Sequence, residues 1–284
     1  MKPITFFTTF NDYGFKLYGE EWLDSIIGNV LDKTDNIDAV VYAENPKFVI
    51  NHPKVKILNF HRQINQHTAW KKQYSRFCKL PPLKNTMTIR FSHKAFVITD
   101  FILTNTTGYG IWADGDVIFK ACDYNDFPNM LFTNNECLAC QIETEEHVET
   151  GLIIFDLENT ELLNFIRKYK ENYSIRNITK LKLTYDGHIF AKTISDMEGL
   201  NFYDLNHQHG IKGIQNTSET TFLHPEIKKR FTHNIDIDGK SKYKDWTRLR
   251  HLDPVFMLLN KNNPLTLTDE EISTLKRLKM KRTK

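Results

Sequence analysis

The stretch that most constrains the fold of this chain is residues 110–119, where two aspartates stand inside an apolar and aromatic run. Such a run predicts a strand of a buried sheet. Its carboxylates, Asp114 and Asp116, are costly to bury as bare charges, so they need a positive partner. Hard carboxylate oxygens suit Mg²⁺ or Mn²⁺, and Gly115 between them allows close approach of a ligand. The sequence therefore predicts a divalent-cation site; the alternative is an Asp-Gly turn, with the second aspartate beginning the next strand.

Length and composition are those of an ordinary globular protein. The 284 residues, 40% of them hydrophobic and 26% charged, suffice for one large domain. No uninterrupted apolar run approaches the roughly 20 residues that cross a bilayer, so we expect no transmembrane segment. Residues 1–7 lack the apolar region and cleavage site of a signal peptide. We therefore expect a cytoplasmic protein, and buried free thiols rather than a metal or redox site at Cys137 and Cys140.

The charge of the sequence is unevenly placed. A net charge of +3 is too small for the global field that a dedicated nucleic-acid binder often carries. The last quarter is nevertheless basic, with clusters at residues 228–230, 240–244, 248–250 and 276–284. This pattern suits a phosphate-bearing ligand or an anionic surface, although for the final cluster we favour a solvated tail.

The first sixty residues alternate between two periodicities. Residues 4–10, 37–43 and 55–60 are β-branched and aromatic runs that predict strands, and residues 20–31 carry apolar side chains at helical spacing. Strand, helix and strand at this spacing indicate parallel pairing with a right-handed crossover. The end of the first strand is then a place where an open α/β sheet usually binds its ligand.

Two helices are predicted before the acidic strand, at residues 66–78 and 91–103, with prolines between them. Arg90 and Lys94 stand four residues apart at the beginning of the second helix, on one face. Positive charges there oppose the helix dipole, which indicates a bound anion such as phosphate between them. Ordinary surface charge is the alternative.

The second half predicts a strand at residues 138–142, a polar turn that leads into an apolar strand within residues 149–156, and helices at 159–173 and 186–194. Beyond residue 202 the sequence is irregular, and a helix begins at Thr268 with a capping box. We find no internal repeat and no low-complexity linker. The chain is therefore predicted to be one domain with a C-terminal extension.

Taken in order, these elements resemble the GT-A class of nucleotide-sugar glycosyltransferases. The resemblance is carried by residues 8–10 (Thr-Thr-Phe), 112–119 (Trp-Ala-Asp-Gly-Asp-Val-Ile-Phe) and 149–156 (Glu-Thr-Gly-Leu-Ile-Ile-Phe-Asp). Residues 186–187 stand where the class commonly has Asp-Gln, so the glutamine is missing. Residues 233–246 loosely resemble the late His and Lys-x-Trp of the glycogenin-like and lipopolysaccharide galactosyltransferase branches, with a longer spacer.

The resemblance implies an α/β fold of GT-A (Rossmann-like) type, with a mixed, mainly parallel sheet flanked by helices. It covers about residues 1–250, which we expect to form the catalytic domain, and residues 251–284 would form a basic helical extension. In such an enzyme Asp114, Asp116 and His233 would hold Mn²⁺ or Mg²⁺ against the donor diphosphate. His224 competes with His233 for that role.

The same resemblance implies roles for the groups around the donor. Lys240, Lys242 and Lys244 would bind the phosphates, with Arg90 and Lys94 as further phosphate contacts and Asp114 as a donor contact. The residues that would line the nucleotide pocket are Thr8, Thr9, Phe10 and Tyr13. Glu149 and Asp186 would act on the acceptor side, either as general base or in stabilising an oxocarbenium-like centre.

The function that follows is transfer of a hexosyl or pentosyl group from a nucleotide-sugar, a UDP-sugar in the first instance, to a hydroxyl acceptor. A saccharide is the favoured acceptor. The alternative is a hydroxymethylated base in DNA, as in a phage-type enzyme that works in the host cytoplasm. In that case the base must leave the DNA stack, and the affinity for DNA should fall steeply with salt concentration. Rivals of other classes are a non-catalytic nucleic-acid-binding protein and a metal-dependent hydrolase.

Overall fold

The computed structural model describes residues 1–44, 46, 50–77, 82–181, 183–206, 222 and 224–233. These residues belong to the first of the two units into which the chain divides, Met1–Ile237. The predicted boundary at residue 250 and the predicted C-terminal helix lie outside the described residues.

The first half of the chain alternates strands with helices. Its elements are β1 (Ile4–Phe10), α1 (Asp12–Gly14), a π-helix (Phe15–Gly19), α2 (Glu20–Asn29), a 3-10 helix (Leu31–Lys33), β2 (Ile37–Ala43), β3 (Val55–Asn59), α3 (Phe60–Gln63), α4 (Asn65–Phe77) and α5 (Pro82–Thr104).

The second half adds more strands than helices. Its elements are β4 (Tyr109–Ala113), β5 (Val117–Phe119), a 3-10 helix (Pro128–Met130), β6 (Leu138–Thr144), β7 (His147–Asp156), α6 (Thr160–Asn172), α7 (Ile175–Ile178), α8 (Asp186–Ser195), β8 (Phe202–Asp204), α9 (Pro225–Arg230) and β9 (Phe231–His233).

Seven of the strands form one sheet, in the order β3-β2-β1-β4-β7-β6-β8. β1 pairs in parallel with β2 and β4, and β2 pairs in parallel with β3. β7 is antiparallel to both β4 and β6, and β8 is parallel to β6. Within this sheet β7 alone therefore runs against the other strands. The expected mixed, mainly parallel sheet flanked by helices is confirmed.

Alternation along the strands divides the core between the two faces of the sheet. On one face Phe6 packs in a cluster with Trp22 of α2. On the other face Phe7 packs with the side chains of α5 and α6, and its ring stacks on that of Phe101 with centroids 3.9 Å apart. Burial of large aromatic side chains on both faces gives the sheet the hydrophobic stabilisation that helix-flanked parallel sheets depend on.

The helix predicted at residues 91–103 is longer than expected, because it begins at Pro82. Proline favours the first turn of a helix, where its missing N–H costs nothing. Arg90 and Lys94 therefore lie in the middle of α5. The prediction that they stand at a helix N-terminus is wrong, and the dipole argument for a bound anion falls with it.

Two further findings concern the cysteines and the helices. Cys137 and Cys140 are buried free thiols, and burial raises the pKa of Cys137 to about 12. None of the helices in the described part of the chain combines the length and the apolar character needed to cross a bilayer.

Candidate active site

The acidic stretch at residues 110–119 divides into two strands that belong to different sheets. β4 lies in the middle of the large sheet, whereas β5 pairs with β9 in a two-stranded sheet. Between them Val117 N donates to Asp114 O at 3.0 Å, which closes a turn over Asp114, Gly115 and Asp116. The alternative prediction, a turn at Asp114-Gly115-Asp116, is therefore confirmed for the local backbone. It is not a hairpin, because β4 and β5 pair with other strands.

Gly115 is required in this turn by close packing. A Cβ at this position would stand 2.3 Å from Phe10 Cε1 and 2.7 Å from Tyr18 Cε2. Two aromatic rings therefore press on the backbone between the aspartates, and they fix the path of the turn.

The side chain of Asp114 is directed to the α5 side of the sheet. Trp112 packs in the core on that side, and alternation along the strand gives Asp114 the same direction. Trp112 Nε1 donates to Asp114 Oδ1 at 2.7 Å. The Trp-x-Asp spacing in the sequence could have predicted this contact, which our sequence analysis did not identify.

Lys94 of α5 is the positive partner of Asp114. Its side chain is buried, 9% exposed, and Nζ lies 2.8 Å from Asp114 Oδ1. Nζ also lies 2.7 Å from Asp186 Oδ2 and donates to Thr150 Oγ1 at 3.1 Å. Because an ammonium group has three protons, these three side chains use its donor capacity. The predicted contact of Lys94 with donor phosphate stays a prediction.

Asp186 is the second carboxylate of the network and the first residue of α8. It is 6% exposed, and Thr150 Oγ1 donates to its Oδ2 at 2.7 Å. A carboxylate in the first turn of a helix is also favoured by the helix dipole. Thr150 lies in β7, next to the strand that leads to Asp114, and sequence reasoning gave no signal for its role.

The shifts in the pKa values of Lys94, Asp114 and Asp186 show how one lysine compensates the charges of two carboxylates. Burial lowers the pKa of Lys94, but the charges of Asp114 and Asp186 outweigh it and the net shift is upward. Burial raises the pKa of Asp186, but Lys94 and hydrogen bonds from Thr150 and Gly187 outweigh it and the net shift is downward. The pKa of Asp114 is raised by burial and by repulsion from Asp116 and Asp186, which Lys94 only partly offsets. Lys94 and Asp186 therefore stabilise each other's ionised form, and Lys94 compensates the charge of Asp114 only in part.

Glu149 stands at the same edge of the sheet, on β7. Its Oε1 accepts from Gly151 N at 2.7 Å. A Cβ on Gly151 would lie 2.8 Å from Glu149 Oε1 and 3.9 Å from Asp114 Oδ2. The carboxylates of Glu149 and Asp114 therefore approach the same small volume beside Gly151. The structure brings together Asp114, Glu149 and Asp186, which the sequence analysis had singled out separately.

A histidine pair that the sequence analysis did not identify flanks this group. His147 Nδ1 lies 2.8 Å from Glu143 Oε2, and the His147 and His188 rings are 4.8 Å apart in an edge-to-face arrangement. A Cβ on Gly187 would stand 2.6 Å from His147 Nε2. The imidazole thus occupies the space that a side chain following Asp186 would fill.

The residues predicted to hold a metal are only partly suited to it. Among the described residues no group of three or more His, Cys, Asp or Glu is arranged to hold an ion. Asp114 already accepts from Lys94 and Trp112, so the positive partner that its burial requires is a lysine. Asp116 is half-buried, and its neighbour Val117 pairs in register with His233 of β9. This register brings the backbone of the third candidate ligand close to the turn.

The expected nucleotide-pocket residues fall into two groups. Thr8 is fully buried and Phe10 is 3% exposed, packed against Trp22, so neither has surface to offer a nucleotide. Their burial follows from the position of β1 inside the sheet, and their assignment to the nucleotide pocket stays a prediction. Thr9 is half-buried with its hydroxyl donating to Tyr42 O at 2.8 Å, and Tyr13 lies in α1.

The remaining candidates lie at the margin of the described structure or beyond it. His224 is buried and caps α9, its Nδ1 accepting from Glu226 N at 3.1 Å. Arg90 lies one turn before Lys94 on α5 and is half-buried. Lys240, Lys242 and Lys244 lie outside the described residues.

Comparison with known proteins finds similarity in structure only. No protein-family model matches the sequence, and no curated protein matches it. The apo form of mouse xyloside xylosyltransferase 1 aligns with 72% of this chain and 85% of its own, at 10% identity and a TM-score of 0.47. The apo structure of the bifunctional glycosyltransferase WbbM aligns with 72% of this chain and 39% of its own, at 14% identity and a TM-score of 0.45.

A third structure, a glycosyltransferase involved in glycosylation of the major capsid of PBCV-1, aligns with 71% of this chain and 82% of its own, at 12% identity and a TM-score of 0.39.

Proposed function

We propose that this chain is a glycosyltransferase that moves a sugar from a nucleotide-sugar donor to a hydroxyl acceptor. The observation that carries the proposal is the buried network in which Lys94 joins Asp114 to Asp186. It lies where the chain leaves a parallel strand of the sheet, which is where open α/β sheets bind ligands. A charged network of this kind is costly to bury and is typical of a functional site. The order of the motifs along the chain supports glycosyl transfer as its use.

The divalent ion of this proposal, Mn²⁺ or Mg²⁺, is assigned to Asp116 and His233, with Asp114 contributing negative charge from beside them. Such an ion neutralises the charge that develops on a departing nucleoside diphosphate. The raised pKa of Asp114 supports the assignment, because this carboxylate shares one lysine with Asp186 and gains from a second cation.

The two acceptor-side carboxylates receive different roles. Asp186 is held ionised by Lys94, so it is a poor proton acceptor and a good electrostatic partner for a sugar carbon that becomes positive. Glu149 approaches, from β7, the volume beside Gly151 that the carboxylate of Asp114 also approaches. We assign to Glu149 the proton of the acceptor hydroxyl.

The donor is proposed to be a UDP-sugar, with Lys240, Lys242 and Lys244 on its phosphates and Arg90, Thr9 and Tyr13 near the nucleotide. A saccharide is the first acceptor class, and a hydroxymethylated base in DNA is the second. The proposed setting is the cytoplasm, which supplies nucleotide-sugars.

The experiment is a donor screen on the full-length protein. UDP-glucose, UDP-galactose, UDP-xylose, UDP-N-acetylglucosamine and GDP-mannose are each added with and without Mn²⁺, while the melting temperature and the slow hydrolysis of the donor are followed. We expect one donor to raise the melting temperature by several degrees and to be hydrolysed, as binding to the native state requires. The identity of that donor also decides between hexosyl and pentosyl transfer.

The matched variants are Asp116→Asn, in the turn, and Asp126→Asn, an exposed aspartate elsewhere. The first should lose Mn²⁺-dependent stabilisation, and the second should keep it. If no donor stabilises the wild-type protein or is hydrolysed, the glycosyltransferase proposal is wrong.

A further inference from the structure

A long segment of this chain contains no acidic residue. Between residues 45 and 99 the sequence has eleven lysines and arginines and neither aspartate nor glutamate. Since the whole chain has a net charge of +3, the remainder carries −8. The near-neutral total therefore conceals a strong separation of charge, of the kind that creates a local positive field.

The described residues of this segment form consecutive elements of the fold. It supplies β3, which is the edge strand of the large sheet, and then α3, α4 and most of α5. α3 begins directly after β3, at the edge where the parallel strands end and where β4 leads to Asp114. The lysine- and arginine-rich helices α3 and α4 thus begin near the carboxyl ends of the parallel strands, where the candidate active site also lies.

The helix α4 turns its apolar side inward and its polar side outward. His67, Trp70 and Tyr74 are buried in the core, with Trp70 Nε1 donating to Tyr173 O at 2.6 Å. The opposite side carries exposed residues at helical spacing, and Arg62 of the preceding helix α3 is exposed as well. The exposed polar residues of this face are Arg62, Asn65, Gln66, Lys72, Gln73 and Arg76.

We propose that this outward face of α3 and α4, the residues just listed, binds the phosphodiester backbone of a nucleic acid. Arginine and lysine neutralise backbone phosphates, and asparagine and glutamine add hydrogen bonds to phosphate and sugar oxygens. The contacts are to the backbone, so the recognition is independent of sequence.

An anionic membrane fits this face less well. A helix that lies in a membrane interface presents large apolar side chains to the lipid. In α4 the aromatic side chains Trp70 and Tyr74 are committed to the core, and Phe77 at its end is the one large apolar side chain that the described part of this helix exposes. Charge complementarity with only one exposed large apolar side chain, at the end of the helix, favours a nucleic acid.

Binding is tested with the full-length protein and a fluorescein-labelled 20-base-pair DNA duplex, by fluorescence anisotropy between 25 and 200 mM NaCl. The variant Arg62→Gln/Lys72→Gln/Arg76→Gln removes three positive charges from the face. We expect its affinity at 50 mM NaCl to fall at least tenfold. The slope of log K against log salt should become shallower by about 2.7, because each phosphate contact contributes about 0.9.

The matched control is Lys33→Gln/Arg167→Gln/Lys170→Gln, which removes the same charge from exposed positions on other elements. It should bind DNA within about twofold of the wild-type protein. An equal loss in both variants would show that binding follows total charge, and this would overturn the proposal. So would an unchanged affinity in the α3–α4 variant, or binding to phosphatidylglycerol vesicles without binding to DNA.

This inference is separable from the proposed glycosyl transfer, because DNA binding is measured without a donor. The α3–α4 variant should keep the melting-temperature shift that the donor and Mn²⁺ produce in the wild-type protein. If DNA binds to the face and no donor stabilises the protein, only the glycosyltransferase proposal fails. If both hold, DNA bearing hydroxymethylated bases becomes the acceptor to test first.

Discussion

Lys94 Nζ lies 2.7 Å from Asp186 Oδ2, and this contact joins the middle of α5 to the first residue of α8. The same ammonium group contacts Asp114 at the end of β4. One buried side chain therefore fixes the positions of two carboxylates that come from separate elements. The geometry of the candidate site rests on this lysine.

Replacement of Lys94 by methionine should destabilise the protein by about 3–5 kcal/mol, because the buried carboxylate of Asp186 and the half-buried carboxylate of Asp114 lose their shared cation. The free energy of unfolding is measured by urea titration at pH 7. The matched control is Lys192→Met, which breaks a surface pair with Asp196 at 2.8 Å and should cost about 0–1 kcal/mol.

If Lys94→Met does not fold, the double variant Lys94→Met/Asp186→Asn removes one of the orphaned charges and should restore part of the stability. Equal effects of Lys94→Met and Lys192→Met would contradict the buried network.

Gly187 should not tolerate a side chain. A Cβ there would stand 2.5 Å from Val148 O and 2.6 Å from His147 Nε2, and a backbone carbonyl in a strand cannot easily move. We expect Gly187→Ala to cost about 1–3 kcal/mol by overpacking. Gly28 in α2 is the control, because its Cβ would meet nothing within 4 Å. Gly28→Ala should stabilise the protein by about 0.5–1 kcal/mol. A neutral result for Gly187→Ala would show that the packing of His147 against this backbone is loose.

The His147–Glu143 pair should make stability depend on pH. The hydrogen bond with Glu143 raises the pKa of His147 above its ordinary 6.5, a rise that burial only partly opposes. A histidine with a raised folded pKa contributes stability that is present below pH 6.5 and is lost as the pH rises through the folded pKa. The melting-temperature difference between wild type and Glu143→Gln should therefore be largest near pH 6 and smallest near pH 9.

The same measurement in a His147→Gln background serves as the control, since Glu143→Gln should there lose its pH-dependent effect. If the melting-temperature difference between wild type and Glu143→Gln stays the same from pH 6 to pH 9, Glu143 does not raise the pKa of His147.

The indole of Trp112 should contribute through its hydrogen bond as well as its volume. Trp112→Phe removes a donor at 2.7 Å from Asp114 Oδ1. Trp22 is equally buried, but among the described residues its Nε1 has no hydrogen-bond partner. Trp22→Phe therefore loses a similar volume without losing such a bond. Since a hydrogen bond to a charged group contributes about 1.5–3 kcal/mol, Trp112→Phe should cost more by about that amount in urea unfolding. If both variants lose the same free energy of unfolding, the hydrogen bond between Trp112 and Asp114 makes no net contribution to stability.

Much of the architecture could be predicted from local patterns. The strands at residues 4–10 and 37–43 have the predicted bounds, and α8 begins at the predicted Asp186. Period-2 and period-3.6 alternation are local properties, so a single sequence reveals them. The beginning of α5 was missed by nine residues, because consecutive prolines indicate an interruption and can equally start a helix.

The site was predicted less completely than the fold. Asp114, Glu149 and Asp186 were identified from the sequence and do lie together, but Lys94, the shared partner of Asp114 and Asp186, was assigned to phosphate. The carboxylate of Asp114 requires a positive charge, and a metal ion was predicted to supply it. A lysine on a distant helix meets the same requirement, and no local spacing distinguishes the two.

The sequence by itself determined the periodicities, and through them the strands, the helices and the parallel sheet that place the acidic turn at the end of a central strand. It also determined the segregation of positive charge into residues 45–99. Only the tertiary structure decided which cation compensates Asp114 and which side of α4 faces outward. The physical reason is that compensation of a buried charge depends on distance in space, and α5, β7 and α8 bring their side chains within 3.1 Å of one another only after the sheet has formed.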